Sequence, residues 1–157
     1  MEFVRKYDID ARIVRIFNTY GPRNDPDDGR VVPNFVTQAL RGDHITVYGD
    51  GSQTRSFCYV SDMVEGLKSA LFTENTKGGV FNLGNPDERT ILEFAQVIIE
   101  LCRSTSSIVY KELQPDDPTR RCQDITRART TFGWEPRVSL EDGLLQTIEW
   151  YRLEEQG

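Results

Sequence analysis

Polar side chains suited to binding an anionic ligand follow the first predicted strand of the chain. Asn18 and Thr19 supply an amide and a hydroxyl, and Arg23 and Arg30 supply guanidinium groups around an Asp- and Pro-rich loop. Loops at strand ends are where α/β proteins commonly bind ligands. We therefore interpret this segment as a candidate binding loop. The alternative is a structural turn in which Asn18 satisfies backbone groups.

A second group of candidate residues lies between Thr46 and Phe57. Tyr48 has a flat ring on which a base could stack, and Arg55 begins a predicted strand where its charge could neutralise a phosphate. Together the two would suit a nucleotide diphosphate. The alternative puts Tyr48 in the core and leaves Arg55 as a solvated charge in a turn.

A third group pairs two acids, Asp116 and Asp117, with two bases, Arg120 and Arg121. Consecutive carboxylates without a third suitably spaced oxygen ligand favour a loop salt bridge or a helix cap over a Mg²⁺ or Ca²⁺ site. We predict no metal site, and the two arginines are the better candidates for contacting an anion.

No recognisable acid–base machinery accompanies these groups. The sequence has no GxGxxG loop, and no tyrosine is followed four residues later by a lysine. The one G-x-G, Gly49-Asp50-Gly51, is predicted to be a hairpin turn. Cys58 is predicted to be a buried small hydrophobe, Cys122 lacks a base partner, and His44 is predicted in a surface turn.

Composition limits the classes of function. The chain has 157 residues, 38% hydrophobic and 28% charged, which is enough for one domain with a core. A net charge of −6 disfavours nucleic-acid binding, and no apolar run reaches the ~20 residues of a membrane span, so we expect a cytoplasmic protein. Fifteen of the nineteen basic residues are arginine, which fits an anionic ligand and equally fits surface salt bridges or codon bias.

The elements that must position these residues alternate between short strands and helices, which predicts an α/β fold. A capping box is expected at Thr90 and Glu93, a helix stop at Gly42, and a cap at Ser61-Asp62. Strands are predicted at 11–17, 45–48, 55–60, 80–83 and 108–110. Helices are predicted at 2–7, 31–40, 63–72, 91–103, 125–132 and 140–153, with Val64, Leu67, Ala70 and Leu71 on the apolar face of the third.

Six motifs occur in a distinctive order: RIFNTYGPR, DGRVVPNF, ITVYGDGSQTRSFCYVSDM, FNLGNP, DDPTRR and FGWEP. Together they resemble the extended short-chain dehydrogenase/reductase superfamily of nucleotide-sugar enzymes, and within it the UDP-glucuronate decarboxylases most. The dTDP-glucose 4,6-dehydratases share YGPR and the VYGDG pattern, whereas GSQTRSF and DGRVVPNF point to the decarboxylases. UDP-glucose 4-epimerases are more distant.

The resemblance implies the carboxy-terminal, substrate-binding portion of such an α/β enzyme, with the N-terminal Rossmann half missing. Residues 1–157 are expected to form a single nucleotide-sugar-binding domain, in which 1–17 are a remnant of the Rossmann half and 18–157 the substrate-binding region. In the family, the missing half carries the glycine-rich loop and the Tyr-x-x-x-Lys pair. We therefore expect a truncated chain, engineered or from a shortened gene, that is inactive alone.

The resemblance also implies roles for particular residues in binding a UDP-sugar. Asn18 would contact the sugar or the diphosphate, Tyr48 would lie at the uracil, and Arg55 would pair with the UDP phosphates. Arg121 would reach the diphosphate and sugar, and its counterpart in decarboxylases is assigned a role in handling the carboxylate or protonating the enolate. The whole enzyme would oxidise the sugar C4 hydroxyl with NAD, lose CO₂ and return the hydride.

Thr19 and Arg30 are expected to lie toward the NAD of the whole enzyme. Two further hypotheses stay open. One is half of a dTDP-glucose 4,6-dehydratase or a UDP-sugar 4-epimerase. The other is a non-catalytic module that forms homo-oligomers, such as a dimer, through the exposed edge of the strand at 11–17.

Overall fold

The computed structural model describes residues 2–113 and 122–154. The helices are α1 (Glu2–Tyr7), α2 (Val31–Arg41), α3 (Val60–Phe72), α4 (Ile91–Cys102), α5 (Thr126–Phe132) and α6 (Leu140–Glu154). The strands are β1 (Ile13–Ile16), β2 (Thr19–Tyr20), β3 (Ile45–Tyr48), β4 (Thr54–Arg55), β5 (Cys58–Tyr59), β6 (Val80–Leu83), β7 (Arg89–Thr90) and β8 (Ile108–Lys111). Within these residues, no helix has both the length and the apolar character needed to cross a membrane.

The strands pair two by two. β1 runs parallel to β6 with Ile13 opposite Val80, and β2–β5 and β3–β8 are also parallel pairs. Only β4–β7 is antiparallel among the described strands. Parallel strands need crossover connections, and helices supply them here. The predicted α/β class is therefore confirmed.

The larger core cluster lies where α2, α4 and α6 pack together, around buried side chains such as Val36, Ile98 and Leu144. The predicted capping box at the start of α4 is confirmed. Thr90 Oγ1 accepts the Glu93 N–H at 3.1 Å, and the Glu93 carboxylate accepts the Thr90 N–H at 2.8 Å. These reciprocal bonds satisfy donors that a helix N-terminus otherwise leaves unpaired.

A second, smaller cluster lies between β6 and the helices α3 and α5, and Asp62 connects it to the segment before α6. The Asp62 carboxylate accepts the backbone N–H groups of Arg137 at 3.0 Å and Val138 at 2.9 Å. The Trp134 indole N–H donates to the Asp62 carbonyl at 2.9 Å. The prediction of a Ser61-Asp62 cap was wrong, because α3 begins three residues earlier than predicted, at Val60, and Asp62 lies inside it and serves a distant segment instead.

Of the predicted apolar face of α3, only Ala70 is buried, and it is 1% exposed. Val64, Leu67 and Leu71 are 47%, 37% and 59% exposed. The buried side carries small residues such as Gly66, where an added Cβ would lie 2.8 Å from Trp134 Cε2. Close approach of the helix to its neighbours therefore selects the small side of α3 for burial, not the side with large aliphatic residues.

The turn at Gly49-Asp50-Gly51 does not close a hairpin, contrary to the prediction. Its two flanking strands pair elsewhere, β3 with β8 and β4 with β7. Both glycines have positive φ, 66° and 77°, which explains their presence in a tight change of direction. The single strand predicted at 55–60 is likewise two short strands, β4 and β5, each paired with a different partner.

Candidate functional site

Three adjoining cavities form one groove beside the ends of β1 and β3, and we call it the ligand groove. The first and second cavities, of about 170 and 180 Å³, share Gly29, Val31 and Arg55. The third is wider and shares with the first Asn18, Thr19 and Arg30. Tyr48 lines the second cavity. The groove therefore brings together five residues that the sequence analysis singled out, namely Asn18, Thr19, Arg30, Tyr48 and Arg55. Asp116, Asp117, Arg120 and Arg121 lie outside the described residues.

Arg55 stands at the junction of the first two cavities. It is only 8% exposed, and its Nη1 donates to the Thr54 carbonyl at 2.8 Å. The alternative interpretation, a solvated charge in a turn, was therefore wrong. Arg55 therefore places a buried positive charge on the wall of both cavities, and a guanidinium can bind an anionic group through paired hydrogen bonds.

The N-terminus of α2 opens into the first cavity. Val31 and Val32 line this cavity, and their N–H groups have no acceptor within the helix. Pro33 follows with no N–H at all, and Arg30, the N-cap residue, makes no side-chain cap. A helix start carries about half a positive charge and binds phosphate well, so it adds to the charge of Arg55.

Arg30 and Thr19 lie where the first and third cavities meet. Arg30 Nε donates to Asp28 Oδ2 at 2.6 Å, while its side chain remains 61% exposed. Thr19 Oγ1 donates to the Phe17 carbonyl at 2.9 Å. An anionic ligand that binds the Arg30 guanidinium must therefore compete with the carboxylate of Asp28.

Tyr48 ends β3 and lines the second cavity. Ile45 and Val47 are fully buried, whereas Tyr48 is 40% exposed, as the two-residue period of a strand requires. The alternative in which Tyr48 belongs to the core was wrong. An aromatic face at the edge of a groove is suited to stacking on a planar ring.

Asn18 links the end of β1 to the strand segment beside it. Its Nδ2 donates to the Ser56 carbonyl at 3.3 Å, and its own carbonyl accepts the Cys58 N–H at 2.8 Å. The Ser56 hydroxyl in turn donates to Oε1 of Gln123, a buried residue on the wall of the third cavity. Asn18 therefore satisfies backbone groups, as the structural alternative proposed, and also lines the groove.

Cys58 is not activated as a nucleophile. Cys58 is fully buried as predicted, and desolvation raises the pKa of its thiol to about 12. Cys122 is exposed on the wall of the third cavity, and His44 is exposed with its Nδ1 2.7 Å from Ser107 Oγ. Over the described ranges there is no group of three or more His, Cys, Asp or Glu side chains that could hold a metal ion.

Two features of the groove escaped the sequence analysis. One is the N-terminus of α2, for which the proline in the first helical turn was an available signal. The other is Gln53, a buried side chain on the wall of the second cavity. Its position depends on a turn whose pairing was mispredicted, so no local signal identified it.

Parallel strand pairs joined by helices, with a groove beyond the strand ends, define an α/β protein of the kind that binds ligands at that edge of its sheet. The model of the NAD dependent epimerase/dehydratase family matches residues 1–84. The chain belongs to this family, whose cofactor is NAD. The resemblance to extended short-chain dehydrogenases/reductases is thereby confirmed.

Curated relatives narrow the likeness within the family. The chain is 51% identical over 152 residues to UDP-glucuronic acid decarboxylase 5 of Arabidopsis thaliana and to UDP-glucuronic acid decarboxylase 1 of Danio rerio. Each match covers 97% of this chain, with 44% of the plant protein and 36% of the fish protein. The chain therefore spans less than half the length of these relatives.

Solved structures share the fold at lower identity. UDP-glucose 4-epimerase of Thermotoga maritima, solved with UDP-glucose, matches with a TM-score of 0.92 and 34% identity, over 98% of this chain and 50% of that one. UDP-glucuronic acid 4-epimerase of Bacillus cereus, solved with UDP-glucuronic acid and NAD, matches with a TM-score of 0.89 and 30% identity, over 98% and 48%.

Proposed function

We propose that this chain is the nucleotide-sugar-binding portion of a UDP-glucuronate decarboxylase-like enzyme. The observation that carries the proposal is Arg55, a buried guanidinium at the junction of two cavities beside the N-terminus of α2. The choice of decarboxylase is supported by the 51% identity to curated decarboxylases, against 34% and 30% to the two solved epimerases.

The groove suggests how a UDP-sugar would lie. Arg55 and the start of α2 would hold the diphosphate, because both carry positive charge toward the same cavity. Tyr48 would stack on the base in the second cavity, and Asn18 would reach the sugar or the diphosphate. Arg121 is proposed to contact the diphosphate and sugar and to assist with the carboxylate.

The third cavity would receive part of the NAD. Its Thr19 hydroxyl and Arg30 guanidinium fit a polar, anionic cofactor, and it lies at the end of β1, where parallel sheets bind dinucleotides. NAD, when bound, would supply reversible hydride transfer at the sugar. Residues 1–17 are proposed to belong to the cofactor-binding part and residues 18–157 to the substrate-binding part.

The chain is expected to be inactive alone, because it contains neither a glycine-rich loop nor a Tyr-x-x-x-Lys pair. Purified protein incubated with NAD and UDP-glucuronate should release no CO₂ and form no UDP-xylose. Turnover under these conditions would refute this part of the proposal.

Binding of UDP tests the assignment of Arg55. Isothermal titration calorimetry should show UDP binding by the unaltered chain and a loss of about tenfold or more in the Arg55→Ala variant, since a charged hydrogen bond is worth roughly 1.5–3 kcal/mol. Arg89→Ala is the matched control. Arg89 lies opposite Arg55 across β4–β7, has the same charge, is partly exposed, and pairs with Asp87. Equal binding by Arg55→Ala and the unaltered chain would remove the phosphate assignment.

Two other functions are supported by separate observations. The likeness to epimerases and a dTDP-glucose 4,6-dehydratase keeps those activities as candidates, and stronger binding of dTDP-glucose than of UDP-glucuronate would favour the dehydratase. The exposed aliphatic residues of α3 support a homo-oligomeric interaction module. A strict monomer in light scattering would count against that module.

A further inference from the structure

We propose that Tyr151 is a positioning residue for the ligand groove, and that its hydroxyl holds the loop before α2 in the place where Arg30 can meet a bound phosphate. This loop, residues 22–30, is called the groove loop. Its residues Asn24 and Arg30 both line the first cavity, whereas Tyr151 lies 127 residues beyond Asn24 in sequence and acts on the groove from outside it. The inference rests on the proposed function, because it assumes that a diphosphate occupies the first cavity.

Tyr151 joins the larger core cluster to the groove loop. It lies one turn after Ile148 on the buried side of α6, and only 2% of its surface is exposed. Its hydroxyl donates to the Asn24 carbonyl at 3.0 Å. Burial, and then the charges of Asp28 and Asp25, raise the pKa of Tyr151 to about 12. The hydroxyl therefore keeps its proton and remains a donor at neutral pH.

The groove loop has few other hydrogen bonds that could fix its position. Residues 22–30 connect β2 to α2. Over the described ranges, their hydrogen bonds other than the one from Tyr151 join the loop to itself or to Asn34 in α2, as does the bond from Asn34 Nδ2 to the Gly29 carbonyl at 3.0 Å. The Tyr151 hydroxyl therefore supplies the hydrogen bond that connects the loop to the distant part of the core.

Asn24 extends this restraint to Arg30. The Asn24 Oδ1 accepts Arg30 Nη2 at 3.3 Å, and Arg30 lines the first and third cavities with 61% of its side chain exposed. Without the Tyr151 hydroxyl, the groove loop would adopt other arrangements as well, and a ligand would have to select the one seen here. The apparent affinity of a ligand falls in proportion to the fraction of the protein in the binding-competent arrangement.

Isothermal titration calorimetry with UDP on Tyr151→Phe tests the inference. The variant keeps the ring in the core and loses one hydrogen bond, and it should bind UDP about three- to tenfold more weakly than the unaltered chain. Tyr20→Phe is the control. Tyr20 is also 2% exposed, and its hydroxyl also donates to a backbone carbonyl, that of Leu140 at 3.3 Å. Both variants should lower Tm by a similar few degrees, and only Tyr151→Phe should weaken UDP binding.

A double variant tests whether the effect passes through Arg30. In an Arg30→Ala background, adding Tyr151→Phe should weaken UDP binding by about 1.5-fold or less, since the side chain to be positioned is gone. An equal loss with and without Arg30 would overturn the role of Tyr151, and so would unchanged UDP affinity in Tyr151→Phe. Both results would leave the proposed function standing.

A further variant covers the case in which Tyr151→Phe does not fold. Asn24→Ala removes the contact between Asn24 Oδ1 and Arg30 and should weaken UDP binding about threefold or more. Unchanged UDP affinity in Asn24→Ala would overturn the inference alone. Failure of the unaltered chain to bind UDP at all would overturn the proposed function together with it.

Discussion

Replacing Tyr48 by alanine should weaken binding of UDP while leaving binding of inorganic pyrophosphate nearly unchanged. The ring lies at the second cavity, and Arg55 stands between that cavity and the first. Removing the ring therefore removes the stacking face for the base and keeps the positive charge that would hold the phosphates. Arg55→Ala should have the complementary effect and weaken binding of both ligands.

The magnitude follows from how Tyr48 sits in β3. Stacking of a base on an aromatic side chain is worth about 1–3 kcal/mol by alanine substitution, which corresponds to roughly 5- to 150-fold in affinity. Folding should suffer little, because the ring is 40% exposed and the core is formed by Ile45 and Val47 on the other face. We expect the free energy of unfolding to fall by about 1 kcal/mol or less.

Isothermal titration calorimetry with UDP and with pyrophosphate, on Tyr48→Ala and Tyr48→Phe, separates the ring from its hydroxyl. Tyr48→Phe keeps the stacking face and should bind UDP nearly as well as the unaltered chain. Tyr110→Ala is the control, since Tyr110 is 57% exposed on the neighbouring strand β8, opposite Val47. Loss of pyrophosphate binding in Tyr48→Ala, equal to its loss of UDP binding, would refute the stacking role.

Two further predictions concern the cysteines and acid stability. In the native chain at pH 8, iodoacetamide should label the exposed Cys122 and spare Cys58 and Cys102. Burial raises the pKa of the Cys58 thiol to about 12 and that of the Cys102 thiol to about 11, which keeps both thiols protonated. Peptide mass mapping that finds Cys58 labelled first would contradict this prediction. Hydrogen bonds from the Thr90 backbone N–H, and then from the Thr90 side chain, lower the pKa of Glu93 below its ordinary value. The ionised Glu93 carboxylate therefore stabilises the fold at pH values above that ordinary pKa. This stabilisation is lost as the pH falls through the lower pKa of the folded state. Thermal melts between pH 5 and 3 should show a smaller acid-induced drop in Tm for Thr90→Ala than for the unaltered chain, and an identical drop would exclude a contribution from the cap.

The start of α4 and the end of α2 were predictable because their signals are local. Thr90 and Glu93 stand three residues apart at the start of α4, and Gly42 with φ 74° follows α2. Residues within one helical turn of each boundary therefore determine where it falls. Strand pairing was not predictable in the same way. β4 pairs with β7 across 34 or more residues, and no feature of Gly49–Gly51 indicates that its flanking strands separate.

Only part of the lining of the ligand groove was predictable, because some residue types suggest a ligand by themselves and others do not. Asn18, Tyr48 and Arg55 have side chains whose chemistry suggests a ligand wherever they lie, and the resemblance to a known family added their roles. Gln53 is found only through the geometry that buries it, holds its nitrogen on the Tyr48 carbonyl and leaves its oxygen without a partner among residues 2–113 and 122–154. An unpaired buried atom is a property of the fold, which residue types alone do not reveal.

Helix α3 shows why size alone misjudges burial. Gly66 sits on the buried side, where an added Cβ would lie 2.8 Å from Trp134 and 2.9 Å from Leu83, so only a small residue lets the helix approach. The large residues Leu71 and Phe72 are left 59% and 75% exposed. Exposed aliphatic and aromatic side chains on one helix favour contact with another surface. The homo-oligomer hypothesis therefore rests on this face as well as on the edge of β1, and a polar substitution such as Leu71→Glu should abolish self-association if α3 mediates it.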